Sequence, residues 1–500
     1  MPPRCEAPRT LLDVLYTGGR VVAGGKTFTR HDLLSLTAGY VEQLLLAGVR
    51  PGDRVVVALD HDVPGMCMMA AGSALGLEMA LPYNLASARE RELHALMDAT
   101  QARALVDARR PVTQHRDGSI SLQRNIGDPS TLRRYADASP IERFLILFTS
   151  GSSGAPKAVS ISERTVLRRI RAVTSRLKFG GSSKVLLTGL LTNTTGVIFG
   201  FGSLLNDSTL VIPNGTTPQD WVRSVVEHQI THLMLRPAAF DQFIRYADEG
   251  DFDLSTIETL AYGAAPLPAD VLRHARRLVG GDLVQGYGLS ETYGPFIWNT
   301  ANQVDGLAAP PAGYLLGQPD ETASISLLTF KDHQKGQGEL CIDSDVVMNG
   351  YLAWTGQTEH CHRPEIPFRT GDTVQISDDR VWLLGRESAM VLTHDGHRFF
   401  PEEVELIAQE ASGFADIAVS QLSHRGHHVA ALCVSRAAPE GVAERALHGI
   451  RARLSPEKWP DAVLEVDGFR RGENEKLDRV TLREAATRAL QEGNDGAFIR

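Results

Sequence analysis

Residues 149 to 157 read Thr-Ser-Gly-Ser-Ser-Gly-Ala-Pro-Lys and follow the apolar run Leu145–Phe148 without a break. The hydroxyls of Thr149, Ser150, Ser152 and Ser153 are hydrogen-bond donors, and Gly151 and Gly154 leave the backbone N–H groups uncovered. Such a loop can wrap an anion, and Lys157 adds a mobile cation. The plain alternative is a flexible Gly/Ser linker. A Walker A loop is excluded, because that motif needs glycine directly before the lysine and Pro156 stands there. Further carboxylates and cations close short motifs downstream: Tyr287-Gly288-Leu-Ser-Glu291-Thr292, Phe368-Arg-Thr-Gly-Asp372, Gly385-Arg386-Glu-Ser388, Gly396-His-Arg398 and Glu475-Lys476. Taken singly, an Asp after Gly is a turn or a helix cap.

These motifs need a scaffold that brings distant positions together. Helical spacing over 33–48, then "GVRPGDRVVVAL" as turn and strand, starts an alternation of helix and strand. "GMCMMAAGSALGLEMALP" reads as one helix closing on Pro82, and the alternation continues through "STLVIP", "WVRSVVEHQITHLML" and "PADVLRHARRL". This rhythm predicts an α/β fold with a mostly parallel sheet and flanking helices, in which the loop at 149–157 follows a strand, where ligands gather. After about residue 325 short strands and turns predict a β-rich subdomain, and the last segment alternates helix and strand as a small α+β unit. The expected division is a large domain over 1–385 and a small one over 386–500.

At 500 residues the chain is too long for one ordinary core, so two or more domains are expected, and 43% hydrophobic with 22% charged residues is an ordinary globular composition. A formal charge of −9, with no long Lys/Arg run, argues against nucleic acid or a membrane surface as partner. Five scattered cysteines without a CxxC pair fit neither zinc nor a disulfide framework. His394, His397, His424, His427 and His428 fit no metal-ligand spacing and read as loop residues. The opening MPPRCEAPRT has no apolar stretch of a signal peptide, and residues 185–205, though uncharged, are broken by threonines, Asn193 and glycines. That segment reads as a buried loop and core helix, not a membrane span, and the expected location is cytoplasmic.

In this order, and over nearly the whole chain, the motifs resemble the acyl-adenylate-forming superfamily of acyl-CoA synthetases, peptide-synthetase adenylation domains and luciferases; "GVRPGDRVVVAL" and "LAYGAAPLPADVL" match its secondary signatures. The resemblance implies that 149–157 is the phosphate loop for ATP, that Glu291 holds Mg²⁺ and that Thr292 touches phosphate. It implies that Asp372 accepts the ribose hydroxyls, that Arg386 reaches the nucleotide from the domain boundary, and that Gly263, Ala264, Ala265, Pro266, Tyr287 and Gly288 surround adenine. The physics agrees: joining a carboxylate to ATP brings two anions together, and donors and cations must offset their repulsion.

The same resemblance makes Lys476 the mobile lysine that bridges carboxylate and α-phosphate, carried by a small domain that rotates between adenylation and thiol transfer. Gly396 and Arg398 would line the site in the second pose. Two departures stand out: Glu475 replaces the usual glycine before the lysine, and Ser388 takes the hinge position commonly held by Asp or Lys.

The acyl pocket is expected between 190 and 300. Thr194 falls where amino-acid-activating relatives place an aspartate, so no carboxylate awaits an α-ammonium. Asn193, Thr194 and Thr195 suit a polar acyl group, and Phe199, Phe201, Tyr262, Phe296 and Trp298 could form flat walls. The resulting expectation is a small aromatic or functionalised acid passed to CoA or to the phosphopantetheine of an acyl or peptidyl carrier protein. A ligase feeding a non-thiol nucleophile, with an inorganic oxyanion such as nitrite among its substrates, is one alternative. A degenerate regulatory protein that only binds nucleotide or acyl-AMP is the other.

Overall fold

The structure, a computed structural model, describes residues 7–82, 90–107, 119–121, 126–135, 138–149, 157–265, 267, 269–300, 313–329, 335–355, 358–467, 469–470 and 477–492. The loop residues 150–156, Pro266, Glu475 and Lys476 lie outside them.

Among the described residues two large sheets dominate, of thirteen and eight strands. The eight-stranded sheet has a parallel centre, Leu145–Thr149, Glu78–Leu81, Arg54–Ala58 and Ala104–Asp107. Its strands read as unbroken apolar runs because both faces are covered. Beyond Leu145–Thr149 the order turns antiparallel through Lys157–Ile161 and Gly350–Thr355. In the thirteen-stranded sheet, parallel strands Lys184–Leu186, His232–Leu235, Thr259–Gly263 and Asp282–Leu289 meet antiparallel Gly294–Thr300 and Tyr314–Pro319. Arg380–Arg386 and Phe368–Ser377 continue that antiparallel half. The α/β architecture and the β-rich stretch therefore agree with the sequence reading.

One expected helix is wrong in extent. It runs only over Val63–Ala74; Gly76 then turns the chain at φ +67, and Glu78–Leu81 forms a buried strand before Pro82. The apolar run hid the change of period, since helix and strand are both fully buried here. The uncharged segment 185–205 resolves into the end of a strand, a loop and the helix Thr194–Leu205. Among the described residues no helix is long and apolar enough to cross a membrane.

Past Arg386 the chain builds two small cores of its own on the strands Ile417–His424, His427–Ser435 and Ala462–Val466. The helices Pro401–Ser412, Val442–Arg453 and Arg479–Gln491 pack on them. A Cβ at Gly385 would lie 2.7 Å from Phe400 and from Glu402 Oε2, so only glycine lets the end of Arg380–Arg386 approach this unit.

Candidate active site

The strands on either side of the Gly/Ser loop pair with each other, Thr149 opposite Lys157. Strand Gly350–Thr355 lies alongside and brings the Tyr351 ring 5.0 Å from Lys157 Nζ. The Tyr351 hydroxyl donates to Glu291 Oε1 at 2.7 Å. Met348 N–H also donates to the Glu291 carbonyl at 2.7 Å. Burial, and then the Glu291 carboxylate, push the Tyr351 phenol far up, so it stays a donor.

Glu291 sits in the short turn Ser290–Thr292, between Asp282–Leu289 and Gly294–Thr300. Thr292 shapes that turn: fully buried, its hydroxyl accepts from Leu289 N–H at 3.1 Å and donates to the carbonyls of Leu289 and Gly294. The hydroxyl of this residue, expected at a phosphate, is bonded here to local backbone.

Four residues before Glu291, Tyr287 donates to Asp372 Oδ2 at 2.6 Å, and Arg386 Nε donates to Asp372 Oδ1 at 2.8 Å. Pairing of Phe368–Ser377 with Arg380–Arg386 puts Asp372 directly opposite Arg386, while Gly371 at φ +76 makes the preceding turn. Burial, then the adjacent carboxylate, keep the Tyr287 phenol neutral. Asp372 is thus a buried, acceptor-only group with a cation beside it, the chemistry that suits a pair of hydroxyls. Tyr287, expected beside adenine, has its phenol directed to Asp372 and its ring edge against Phe296, 5.6 Å between centroids.

At the end of Thr259–Gly263, Gly263 is buried against the Gly286 carbonyl. Ala264 is exposed and holds φ +73, an arrangement that costs a non-glycine residue about 1–2 kcal/mol. Strain of that kind collects at functional sites. Ala265 is half-buried beside it and Gly288 half-buried in the facing strand.

Beside Gly263 and its strand partner Gly286, a narrow cavity of about 10 Å³ opens. Tyr262 and Gly286 form part of its wall, with Thr195, Ile198 and Phe199 from the helix Thr194–Leu205. Pro295 and Trp298 come from the next strand, and Val173 and Leu177 from the helix Glu163–Arg176 and its cap. No lining side chain carries a charge. Tyr262 is 1% exposed and stacks edge-on to Phe240 at 5.6 Å. Asn193 is not a wall residue: its side chain caps that helix, accepting from Gly196 N–H at 3.2 Å. Thr194 is the first, half-buried helical residue beside it. Phe201 and Phe296 are fully buried core and do not line the cavity.

Gly396 turns the chain at φ +83 between Thr393 and His397, and Arg398 is exposed on the short strand that follows. Ser388 is exposed in the turn Glu387–Ala389. His394 and His427 face each other with ring centroids 4.9 Å apart and planes tilted by 53°. Among the described residues no group of three or more His, Cys, Asp or Glu is placed to hold a metal.

Sequence reasoning missed Tyr351, a single tyrosine in a strand with no local signal. It also missed Arg169, fully buried and paired with Asp320 at 3.1 Å. Helical phase could have found it, since 169, 173 and 177 share one face of an otherwise arginine-rich helix.

The sequence pattern of the AMP-binding enzyme family matches residues 14–352. A long-chain-fatty-acid–CoA ligase of Bacillus subtilis (strain 168) is 24% identical over 478 residues, 92% of this chain and 80% of that protein. Among solved structures, the o-succinylbenzoate CoA synthetase of Bacillus subtilis in complex with the acyl-adenylate intermediate superposes with TM-score 0.76 at 18% identity, covering 97% of this chain and 99% of that one. An anthranilate CoA ligase in complex with anthranoyl-AMP gives TM-score 0.76 at 17% identity, again with 97% and 99% covered. At such identity the two superpositions show the shared fold.

Proposed function

The chain belongs to the AMP-binding enzyme family, and from that premise we propose that it activates a compact, uncharged carboxylic acid, apolar or aromatic, with ATP. The acyl-adenylate then passes its acyl group to the thiol of CoA or of a carrier protein's phosphopantetheine. The observation that carries this reading is the strand Asp282–Leu289 and the turn after it. Within the six residues from Gly286 to Glu291, Gly286 walls the apolar cavity, Tyr287 bonds Asp372, and Glu291 accepts from the Tyr351 hydroxyl whose ring faces Lys157. An acid in the cavity and a nucleotide on the charged cluster would meet along that span.

In the first step a carboxylate oxygen of the acid bonds the α-phosphorus while the bond to the pyrophosphate oxygen breaks. In the second the thiol sulfur bonds the acyl carbon, the thiol proton is lost and AMP leaves. Lys157 and the donors of 149–154 would offset charge on the phosphates. Asp372, with Arg386 and Tyr287 fixing its orientation, would accept the ribose hydroxyls. Mg²⁺ suits Glu291, because a hard cation commonly takes one carboxylate and fills its shell with phosphate and water. Among the described residues only Oε1 of Glu291 is bonded, by Tyr351. The bound ion would lower the charge on the phosphates.

The uncharged cavity disfavours α-amino acids and dicarboxylates, whose extra charge would be buried without a partner. Asn193 Oδ1 caps the helix, and the cavity lining is mostly apolar, which moves the expectation from a polar acid toward an apolar or aromatic one. Residues 386–500 act in this reading as the mobile unit that carries Lys476. Pyrophosphate release should be measured across benzoate, cinnamate, hexanoate, malonate, glycine and nitrite, with and without CoA. Release with aromatic or short apolar acids, and thioester only with CoA, supports the reading. Release with glycine or nitrite alone, or AMP formation indifferent to every thiol, overturns it.

A further inference from the structure

The walls of the cavity are not held alike. Most rest on ordinary packing, but Pro295 and Trp298 are tied to a buried ionic group. Trp298 stands directly opposite Gly286 in the strand pairing, and a Cβ added at Gly286 would lie 2.8 Å from Pro295 and 3.0 Å from the indole ring. The absence of a side chain at Gly286 is what seats the indole there. Its Nε1 donates to Asp320 Oδ2 at 3.0 Å. Asp320 pairs with Arg169, whose guanidinium also reaches the Thr322 hydroxyl and the Pro295 carbonyl. Arg169 and the Asp320 side chain are 0% and 5% exposed. One guanidinium therefore fixes Pro295 directly and Trp298 through Asp320. The helix that carries Arg169 supplies Val173 to the same cavity one turn later and ends at Leu177, another wall residue.

Burying a charge pair is costly, and a packed apolar pair of similar volume commonly does as well for stability. A bolt between helix and sheet would not need its donors divided between two walls of one cavity. We propose that Trp298 limits the size of the acyl group this protein accepts, and that the Arg169–Asp320 pair is a positioning device that holds the indole and Pro295 at that limit. The inference rests on the cavity being the acyl site. It narrows the substrate class to acids no bulkier than a flat ring or a short chain near the carboxyl.

The test uses the full chain and ATP–pyrophosphate exchange with benzoate, phenylacetate, 3-phenylpropionate and 4-phenylbutyrate, a series that lengthens by one methylene. Trp298→Leu leaves Asp320 bonded to Arg169 and Thr322, so no charge is orphaned. It should raise the ratio of kcat/KM for the longest to the shortest acid by about tenfold or more, the scale of methylene discrimination in apolar pockets. Arg169→Lys keeps the charge but loses the forked geometry. It should raise KM for the acid, leave KM for ATP unchanged and shift the length ratio in the same direction. Combining it with Trp298→Leu should add little, because both act on one wall. A wild-type length ratio in folded Trp298→Leu, or an Arg169→Lys variant that loses only melting temperature, overturns the inference while leaving the proposed function standing. A wild-type protein that exchanges pyrophosphate with no carboxylic acid overturns both.

Discussion

Asp372 and Glu291 are the residues whose removal should separate nucleotide chemistry from everything else. Both oxygens of Asp372 already accept bonds, from Tyr287 and Arg386. A charge-assisted hydrogen bond contributes about 1.5–3 kcal/mol, so Asp372→Ala should raise KM for ATP by about tenfold to a hundredfold. KM for the acid should change little, and steady-state kinetics with each substrate varied in turn gives the split. Glu291→Ala should abolish Mg²⁺-dependent pyrophosphate release with the circular dichroism spectrum unchanged; wild-type release in that variant would remove Glu291 from the chemistry. Both carboxylates were singled out through the ordered set of motifs and its resemblance, since an Asp after Gly taken singly reads as a turn or a helix cap. Their pairing with Tyr351 and Arg386 was not legible, because those residues approach from 60 and 14 residues away. The backbone partners of Thr292 were not legible either, although a threonine in a tight turn commonly bonds nearby backbone.

At the scale of single elements the helix Glu163–Arg176 shows where sequence reading stops. Its period and its Ser162 cap were readable, but not which polar residues go inside. Arg164, Arg168 and Arg171 are exposed while Glu163 and Arg169 are fully buried. Glu163 accepts from Leu11 N–H at 2.8 Å, Ile141 N–H at 3.2 Å and the Ser73 hydroxyl, so three distant segments converge on one carboxyl group. Burial outweighs those donors and pushes it up to about 7, from 4.5. A folded-state pKa above the unfolded one favours the folded protein fully below the unfolded value, and that contribution is lost as pH rises through the folded value. Melting temperature should therefore decline between about pH 4.5 and 7 from this group. Glu163→Gln, which does not titrate, should flatten the decline; an equally steep curve in the variant would assign it to other groups. The shortened helix at Val63–Ala74 has a related cause, because a fully buried apolar run carries no periodicity to mark its end.

For the whole molecule, the layered α/β architecture and the separate cores past Arg386 followed from the alternation of helix and strand. The convergence of Lys157, Glu291, Tyr287 and Asp372 did not, because strand order, not sequence order, brings them together. If residues 386–500 swing Lys476 in for adenylation and out for thiol transfer, Lys476→Ala should slow acyl-AMP formation by about a hundredfold, as expected for one lost transition-state contact. Supplied with pre-formed acyl-AMP and CoA, that variant should still make thioester near the wild-type rate. Arg398→Ala should show the reverse. Gly396→Leu would show it less cleanly, because φ +83 strains any side chain placed there. Equal losses in both half-reactions would mean that Lys476 binds substrate throughout and does not alternate. The most direct test of the central claim is ATP–pyrophosphate exchange with a panel of aromatic and short apolar acids and no thiol present. The account predicts acid-dependent exchange without CoA, abolished in Glu291→Ala and retained in a surface control such as Arg164→Ala. No exchange with any acid, or exchange indifferent to Glu291, would contradict it.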